Sequence, residues 1–163
     1  MDTEQHFPTA FASFKKRHRP YFTASDIPNC VNTRANYTPV SPCKKMPVYG
    51  AIIRSEDAKY LLVQGSSTTK WSFPKGHSKK YETPLDCAGR EIFEETGCTS
   101  LPNPCDVIHL RMATYYLFNV PSVFQINTKD SREICSSGWF TREAALQLLL
   151  NADTDIYFNN KDI

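Results

Sequence analysis

Long apolar runs are missing from this 163-residue sequence. No stretch approaches the ~20 apolar residues that cross a bilayer, so no membrane partner is expected. The N-terminus, MDTEQHFPTAFASFKKRHRP, opens on acidic residues and has no apolar segment of the kind a secretory signal needs. The expected location is therefore intracellular, in the cytoplasm, and the sequon Asn36-Tyr37-Thr38 reads as a chance match. Cys-x-x-Cys pairs are missing too. The six cysteines, Cys30, Cys43, Cys87, Cys98, Cys105 and Cys135, form no Cys/His cluster with zinc-ligand spacing and read as reduced thiols. Internal repeats and low-complexity tracts are absent.

What is present is ordinary for a globular protein, with 40% hydrophobic and 22% charged residues. The charge is uneven. Residues 1–46 carry seven basic residues (Lys15, Lys16, Arg17, Arg19, Arg34, Lys44, Lys45) against Asp2, Glu4 and Asp26. That segment is +4, and the net +2 of the chain leaves −2 for the remainder. Pro8, Pro20, Pro28, Pro39 and Pro42 interrupt it, so it reads as an extended basic arm, with one short helix over 9–19. Such an arm either meets a polyanion or is a solvated tail. Residues 47–163 read as the folded domain. Strands are expected at 48–53, 60–64, 71–73, 106–111, 113–120, 123–126 and 138–140, and a helix at 84–96 between Pro84 and Gly97. Thr141 is expected to cap a last helix over 142–151, with Ala144, Leu148 and Leu149 inward. Strands interleaved with helices give an α/β fold, a mixed sheet in a sandwich.

At ~100° per residue, Glu91, Glu94 and Glu95 fall within about 100° of one another on the helix over 84–96. Leu85, Gly89, Ile92 and Thr96 fall on the other side. No Lys or Arg follows Arg90 in the helix to neutralise the three acids. Crowded carboxylates repel unless a hard divalent cation sits among them, and oxygen-only donors favour Mg²⁺ or Mn²⁺. A solvated acidic face is the alternative for three glutamates taken alone.

The surrounding spacing decides between these. Gly76, five residues, Glu82, seven residues, then Arg90-Glu91-Ile92-Phe93-Glu94-Glu95-Thr96-Gly97-Cys98 resembles the Nudix box, G-x5-E-x7-R-E-U-x-E-E-x-G-U with U aliphatic. Seven fixed residues at these spacings arise by chance on the order of once in 10⁸ start positions. The resemblance implies a Nudix fold, an α/β/α sandwich with a loop–helix–loop, and metal-dependent cleavage of a pyrophosphate. It implies that Glu91, Glu94 and Glu95 hold the metal with the backbone carbonyl of Gly76, and that Arg90 and Glu82 are a structural pair. Lys75 can reach phosphate as a point charge; His77 could do so when protonated, or cap the loop. The base that activates water is expected outside the box, at Glu133 or Glu143, with Glu143 better explained by the dipole of its helix.

The segments Pro47–Ile53, Leu61–Gly65, Trp71–Gly76, Asp86–Gly97 and Arg132-Glu133-Ile134, with Trp139-Phe140, are similar to the catalytic subunit of the eukaryotic mRNA-decapping complex. This likeness covers about residues 46–140. It implies hydrolysis of the 5′ cap of RNA to 7-methyl-GDP and 5′-monophosphate RNA, with Glu133 as base or ligand. Capped RNA is then the expected partner, and Lys15, Lys16, Arg17 and Arg19 the residues expected to meet its phosphates, with Tyr21 and Phe22 behind them to stack on a base. That family carries a helical domain ahead of its Nudix domain and a basic RNA-binding helix after it. Here Pro-interrupted residues precede the domain, the last stretch carries Asp153, Asp155 and Asp162, and His77 stands in place of a second Lys. An activating protein partner is an expectation for such an enzyme. Trp71, Tyr81 and Tyr115 are candidates, by residue type alone, to grip the base. Two other readings stay open: a Nudix hydrolase of small nucleotides, dinucleoside polyphosphates or diphosphoinositol phosphates, and a non-catalytic Nudix-fold RNA-binding module.

Overall fold

The computed structural model of the protein describes residues 45–160. The arm residues Lys15, Lys16, Arg17, Arg19, Tyr21 and Phe22, and the helix expected over 9–19, lie outside the described residues.

The element order is β1 (Val48–Ser55), β2 (Lys59–Gly65), β3 (Trp71–Ser72), β4 (Lys75–His77), α1 (Pro84–Thr96), β5 (Asp106–His109), β6 (Thr114–Val120), β7 (Ile134–Thr141), α2 (Arg142–Ala145) and α3 (Ala152–Asn159). The seven strands form one mixed sheet with β3-β2-β1-β6-β5 as its main path. β1 runs parallel to β6, from Tyr49↔Thr114 to Ser55↔Val120. β1 and β2 pair only at their hairpin end, through Arg54↔Tyr60. Beyond that point they diverge. β4 fills the free edge of β1 through Tyr49↔Gly76, and β3 fills that of β2 through Gln64↔Trp71. The other edge of β2 carries β7, from Lys59↔Thr141 to Gly65↔Ile134.

Gly50, Ala51, Ile52 and Ile53 are all buried, because both faces of β1 are covered. Alternate residues serve the two layers. Ala51 and Ile53 pack with Leu61, Phe118 and Ile92 of α1 on one face. Ile52 packs with Leu62, Phe73 and Tyr115, and with Ala145 of α2 and Phe158 of α3, on the other. The result is the expected α/β/α layering. Each fully buried aliphatic or aromatic side chain contributes about 1.5–3 kcal/mol to it.

The structure corrects several expectations. Residues 123–126 form no strand; Phe124 and Ile126 instead pack from a loop onto the α1 face of the core. Of the helix expected over 142–151 only Arg142–Ala145 is helical. The chain then turns, Leu150 bridges to Trp71, and Asn151 caps the separate helix α3 through its side chain. That break rotates the apolar face. Ala144 and Leu149 point outward, Leu149 being 61% exposed, while Ala145 is buried. β7 begins four residues earlier than expected, directly after Glu133, and β4 was not foreseen. Asp153, read as part of an acidic tail, is fully buried and accepts from Met112 N at 2.9 Å and from the Tyr115 hydroxyl at 3.1 Å. Tyr115 is thereby fixed in the core and cannot grip a base. Among the described residues, no helix is long and apolar enough to cross a membrane, and Cys87, Cys98, Cys105 and Cys135 are free thiols.

Candidate active site

Helix α1 is built to stop where it does. Thr83 caps its start by accepting from Asp86 N at 3.2 Å, and Pro84 follows in the first turn, where its missing N–H costs nothing. Gly97 ends it with φ +74°, a left-handed conformation that disfavours any Cβ. A Cβ there would also meet Asn127 O at 2.2 Å, so the chain needs glycine twice over. The last turn has no basic residue to answer its carbonyls. A loop does so instead: Asn127 N donates to Thr96 O at 2.8 Å, and Lys129 N and Asp130 N each donate to Glu94 O at 2.9 Å. Asp130 then caps the next turn, accepting from Arg132 N at 3.1 Å and Glu133 N at 3.4 Å. This places Glu133, far away in sequence, beside the end of α1.

On α1 itself, Glu91 and Glu95 are buried and Glu94 is half-buried. Glu91 lies against the backbone of Gly76, and a Cβ at that position would stand 2.2 Å from Glu91 Cδ. Glu95 Oε2 accepts from Lys75 N at 3.1 Å, tying helix to strand. The Gly76 carbonyl accepts from the Cys87 thiol at 3.6 Å and keeps a second lone pair. Arg90 is the hub. Its Nε and Nη2 donate to the two oxygens of Glu82 at 2.8 and 3.1 Å, a bidentate pair, and Nη2 also donates to His77 O at 3.0 Å. Nη1 donates to Glu91 and, at 3.0 Å, to Glu94 Oε2. Glu91 and Glu94 are thus answered by the arginine that precedes them in the helix.

Burial pushes the Glu95 carboxyl up to about 8; Lys75 opposes this, and Glu91 and Glu133 add to it. Burial likewise raises Glu91, against Arg90 and with Glu94 and Glu133. For Glu82, burial pushes upward but the Arg90 hydrogen bond and the Lys79 amide outweigh it, so its carboxyl lies below the usual range. Glu91, Glu94, Glu95 and Glu133 therefore share one electrostatic field.

As the side chains stand, Glu91 and Glu94 are turned onto Arg90. No three carboxylate, imidazole or thiol groups among the described residues converge on one point as metal ligands. The donor chemistry nonetheless fits a hard divalent cation. All the donors are oxygens, two of the carboxyls are buried and mutually destabilised, and Gly76 leaves room for Glu91 beside a backbone carbonyl.

The site opens on a cleft of about 640 Å³. Glu95, Lys75 and Glu133 line it with Lys70, Arg132, Ser72, Thr68 and Met112. Glu143 is exposed on α2 and is not part of this lining. Trp71 packs edge-on against Phe140, and Tyr81 is 92% exposed, away from the cleft lining. Lys70 and Met112 carried no motif and were missed; only the folding of the 65–70 loop and of the β5–β6 turn brings them here.

A mixed sheet that forks beside a loop–helix carrying buried glutamates and a bidentate Arg–Glu lock is the setting of this site. A family model described as the NUDIX domain matches residues 44–159, and the chain belongs to the Nudix family of hydrolases. It is 32% identical over 125 residues to the m7GpppN-mRNA hydrolase of Saccharomyces cerevisiae, a match covering 72% of this chain and 13% of that protein. It is 34% identical over 104 residues to mRNA decapping complex subunit 2 of Schizosaccharomyces pombe, covering 58% of this chain and 14% of that one. This chain thus matches only a small part of the length of these relatives. Among solved structures, an Ap4A hydrolase of C. elegans superposes with a TM-score of 0.56 at 22% identity, over 69% of this chain and 92% of the other. The MutT protein of Methanosarcina mazei Go1 gives 0.56 at 23% identity, over 72% and 94%. These two likenesses establish the fold.

Proposed function

We propose that the protein hydrolyses the 5′ cap of RNA, releasing 7-methyl-GDP and 5′-monophosphate RNA, with Mg²⁺ or Mn²⁺ as cofactor. The observation that carries this reading is the meeting of Glu95 of α1 with Glu133 in a cleft that also holds Lys70, Lys75 and Arg132. The relatives named for decapping support the choice of substrate.

Glu91, Glu94, Glu95 and the Gly76 carbonyl are the groups that would hold the ion. Once bound, it neutralises phosphate oxygens and polarises water for attack. The chain's own residues do the rest. Lys75 sets a positive charge beside Glu95 for a phosphate oxygen to meet. Arg90, through Glu82 and His77 O, holds the loop against the helix so that the carboxyls keep their spacing. Glu133, on the loop tied to α1, serves as the base that takes the proton from water. The basic residues Lys15, Lys16, Arg17 and Arg19 are proposed to contact RNA phosphates, and a protein partner to raise activity.

The test is incubation with cap-labelled RNA and Mg²⁺ or Mn²⁺, beside a Glu94→Gln/Glu95→Gln control. Release of 7-methyl-GDP by the wild type alone is expected. Cleavage of dinucleoside polyphosphates or free nucleotides, with capped RNA untouched, would move the substrate to small molecules. Binding of RNA without cleavage of either, indifferent to the glutamate changes, would make the protein a binding module.

A further inference from the structure

The cleft has one wall that the phosphate chemistry leaves unused. Met112, in the turn between β5 and β6, lines the cleft and is 62% exposed. Its cleft neighbours Asn151 and Ala152 begin α3. An exposed methionine at a loop tip is usually free to move, but the backbone of this one is fixed from below. Both oxygens of the fully buried Asp153 accept from Met112 N, at 2.9 and 3.2 Å. Tyr115, also fully buried, donates to the same carboxylate at 3.1 Å. The turn itself is closed by Leu110 N donating to Ala113 O at 3.0 Å. A buried carboxylate is a costly device for holding a surface loop, and what it holds in place is the backbone of the residue that lines the cleft.

Most of the other lining side chains are polar: Lys70, Lys75 and Arg132 for anions, Ser72 and Thr68 for hydrogen bonds, Glu95 and Glu133 at the reacting end; Ile134 also borders the cleft but is buried. A substrate that carries both phosphates and an aromatic base needs one apolar surface among these, and Met112 is the exposed large apolar side chain in the cleft. A polarisable sulfur packs favourably on an aromatic ring and tolerates different ring shapes.

We propose that Met112 is a specificity residue: its side chain forms the surface on which a nucleobase of the substrate rests, and Asp153 is the positioning residue that fixes it. This rests on the reading of the cleft as the substrate site, but not on the substrate being a cap.

Direct binding tests it with no turnover involved. Calorimetric titration of the full chain with guanosine diphosphate and, separately, with inorganic tripolyphosphate compares a ligand with a base and one without. Met112→Ala is expected to weaken guanosine diphosphate by about five- to tenfold and to leave tripolyphosphate unchanged. Met112→Leu, still apolar, should recover most of the loss. Thermal melting of each variant guards against a folding defect; at this exposed position none is expected. Equal weakening of both ligands, no weakening of either, or a loss in Met112→Leu as large as in Met112→Ala overturns the proposal, as does a wild type that binds the two alike. If capped RNA is not cleaved while the base-dependent difference persists, the cap reading fails and this one stands.

Discussion

The carboxyl group of Glu91 stands where a side chain at Gly76 would have to be, with a Cβ at 76 falling 2.2 Å from Glu91 Cδ and 2.2 and 2.5 Å from its two oxygens. Loop and helix are thus fitted to each other at the point where the ion is proposed to sit. Gly76→Ala must move Glu91, Lys75 or both. Turnover is expected to fall by about two orders of magnitude, since a displacement of about an ångström suffices for that. The fold should survive with a loss of about 1–3 kcal/mol from overpacking. Turnover near wild type in steady-state assays would show that Glu91 can leave its place at no cost.

Arg90 reaches Glu82, Glu91, Glu94 and the His77 carbonyl with one planar group. A lysine cannot reproduce the bidentate contact with Glu82 or span the others. Arg90→Lys is therefore expected to cost about 3 kcal/mol, near what breaking a buried ion pair costs. Urea denaturation measures it; a midpoint matching wild type refutes the hub role.

The pH dependence of the metal-free protein should run against the usual direction. The folded Glu95 carboxyl titrates at about 8, above its ordinary 4.5, because it is buried. Between those values the folded form takes up a proton that the unfolded chain does not, so lowering the pH through this window favours folding. Glu91 is shifted the same way. Glu82 is shifted the other way, and its contribution is lost only as the pH falls below about 4.5. With chelator present, the melting temperature is expected to rise from pH 8 to pH 5.5, and Glu95→Gln to flatten that rise. An identical slope in the variant would falsify the assignment.

Asp153 stabilises three separate elements: α3, the β5–β6 turn through Met112 N, and β6 through Tyr115. Asp153→Ala leaves two donors without their acceptor and is expected to cost about 2–4 kcal/mol. A loss below about 1 kcal/mol by denaturation would mean that water replaces the carboxylate.

How far the sequence carried these conclusions follows from which signals are local. The Nudix spacing needs only a helix and a loop, so Gly76, Glu82, Arg90, Glu91, Glu94, Glu95 and Gly97 were legible as a set; in the structure Arg90 meets Glu82, Glu91 and Glu94, Glu91 lies against Gly76, and Gly97 ends the helix. The core face of α1 was legible for the same reason, through helical periodicity. The end of the chain was not. Leu146 to Leu150 continues a helical pattern of apolar residues, but Leu149 O and Asn151 N bond with Trp71, a partner that no local pattern reveals. Asp153 was misjudged because its partners lie about 40 positions earlier. Lys70 and Met112 sit in no motif; tertiary placement alone brings them to the cleft wall. Glu133 was found through a resemblance, and the hydrogen bonds from the 127–130 loop to α1 supply the physical reason for its position.

Those hydrogen bonds bear on how the molecule would fail. Glu94 and Glu95 occupy the last turn of α1, where the helix macrodipole disfavours negative charge and that turn carries no basic residue of its own. Three loop amides hold that turn closed. The segment most exposed to fraying is therefore the one bearing the carboxylates, and it is latched by the loop that bears Glu133. Opening the latch would disperse both halves of the chemistry in a single local event. Inactivation by heat or mild denaturant should then precede global unfolding, and amide exchange at the end of α1 and in the 127–130 loop should quicken together, as one cooperative unit.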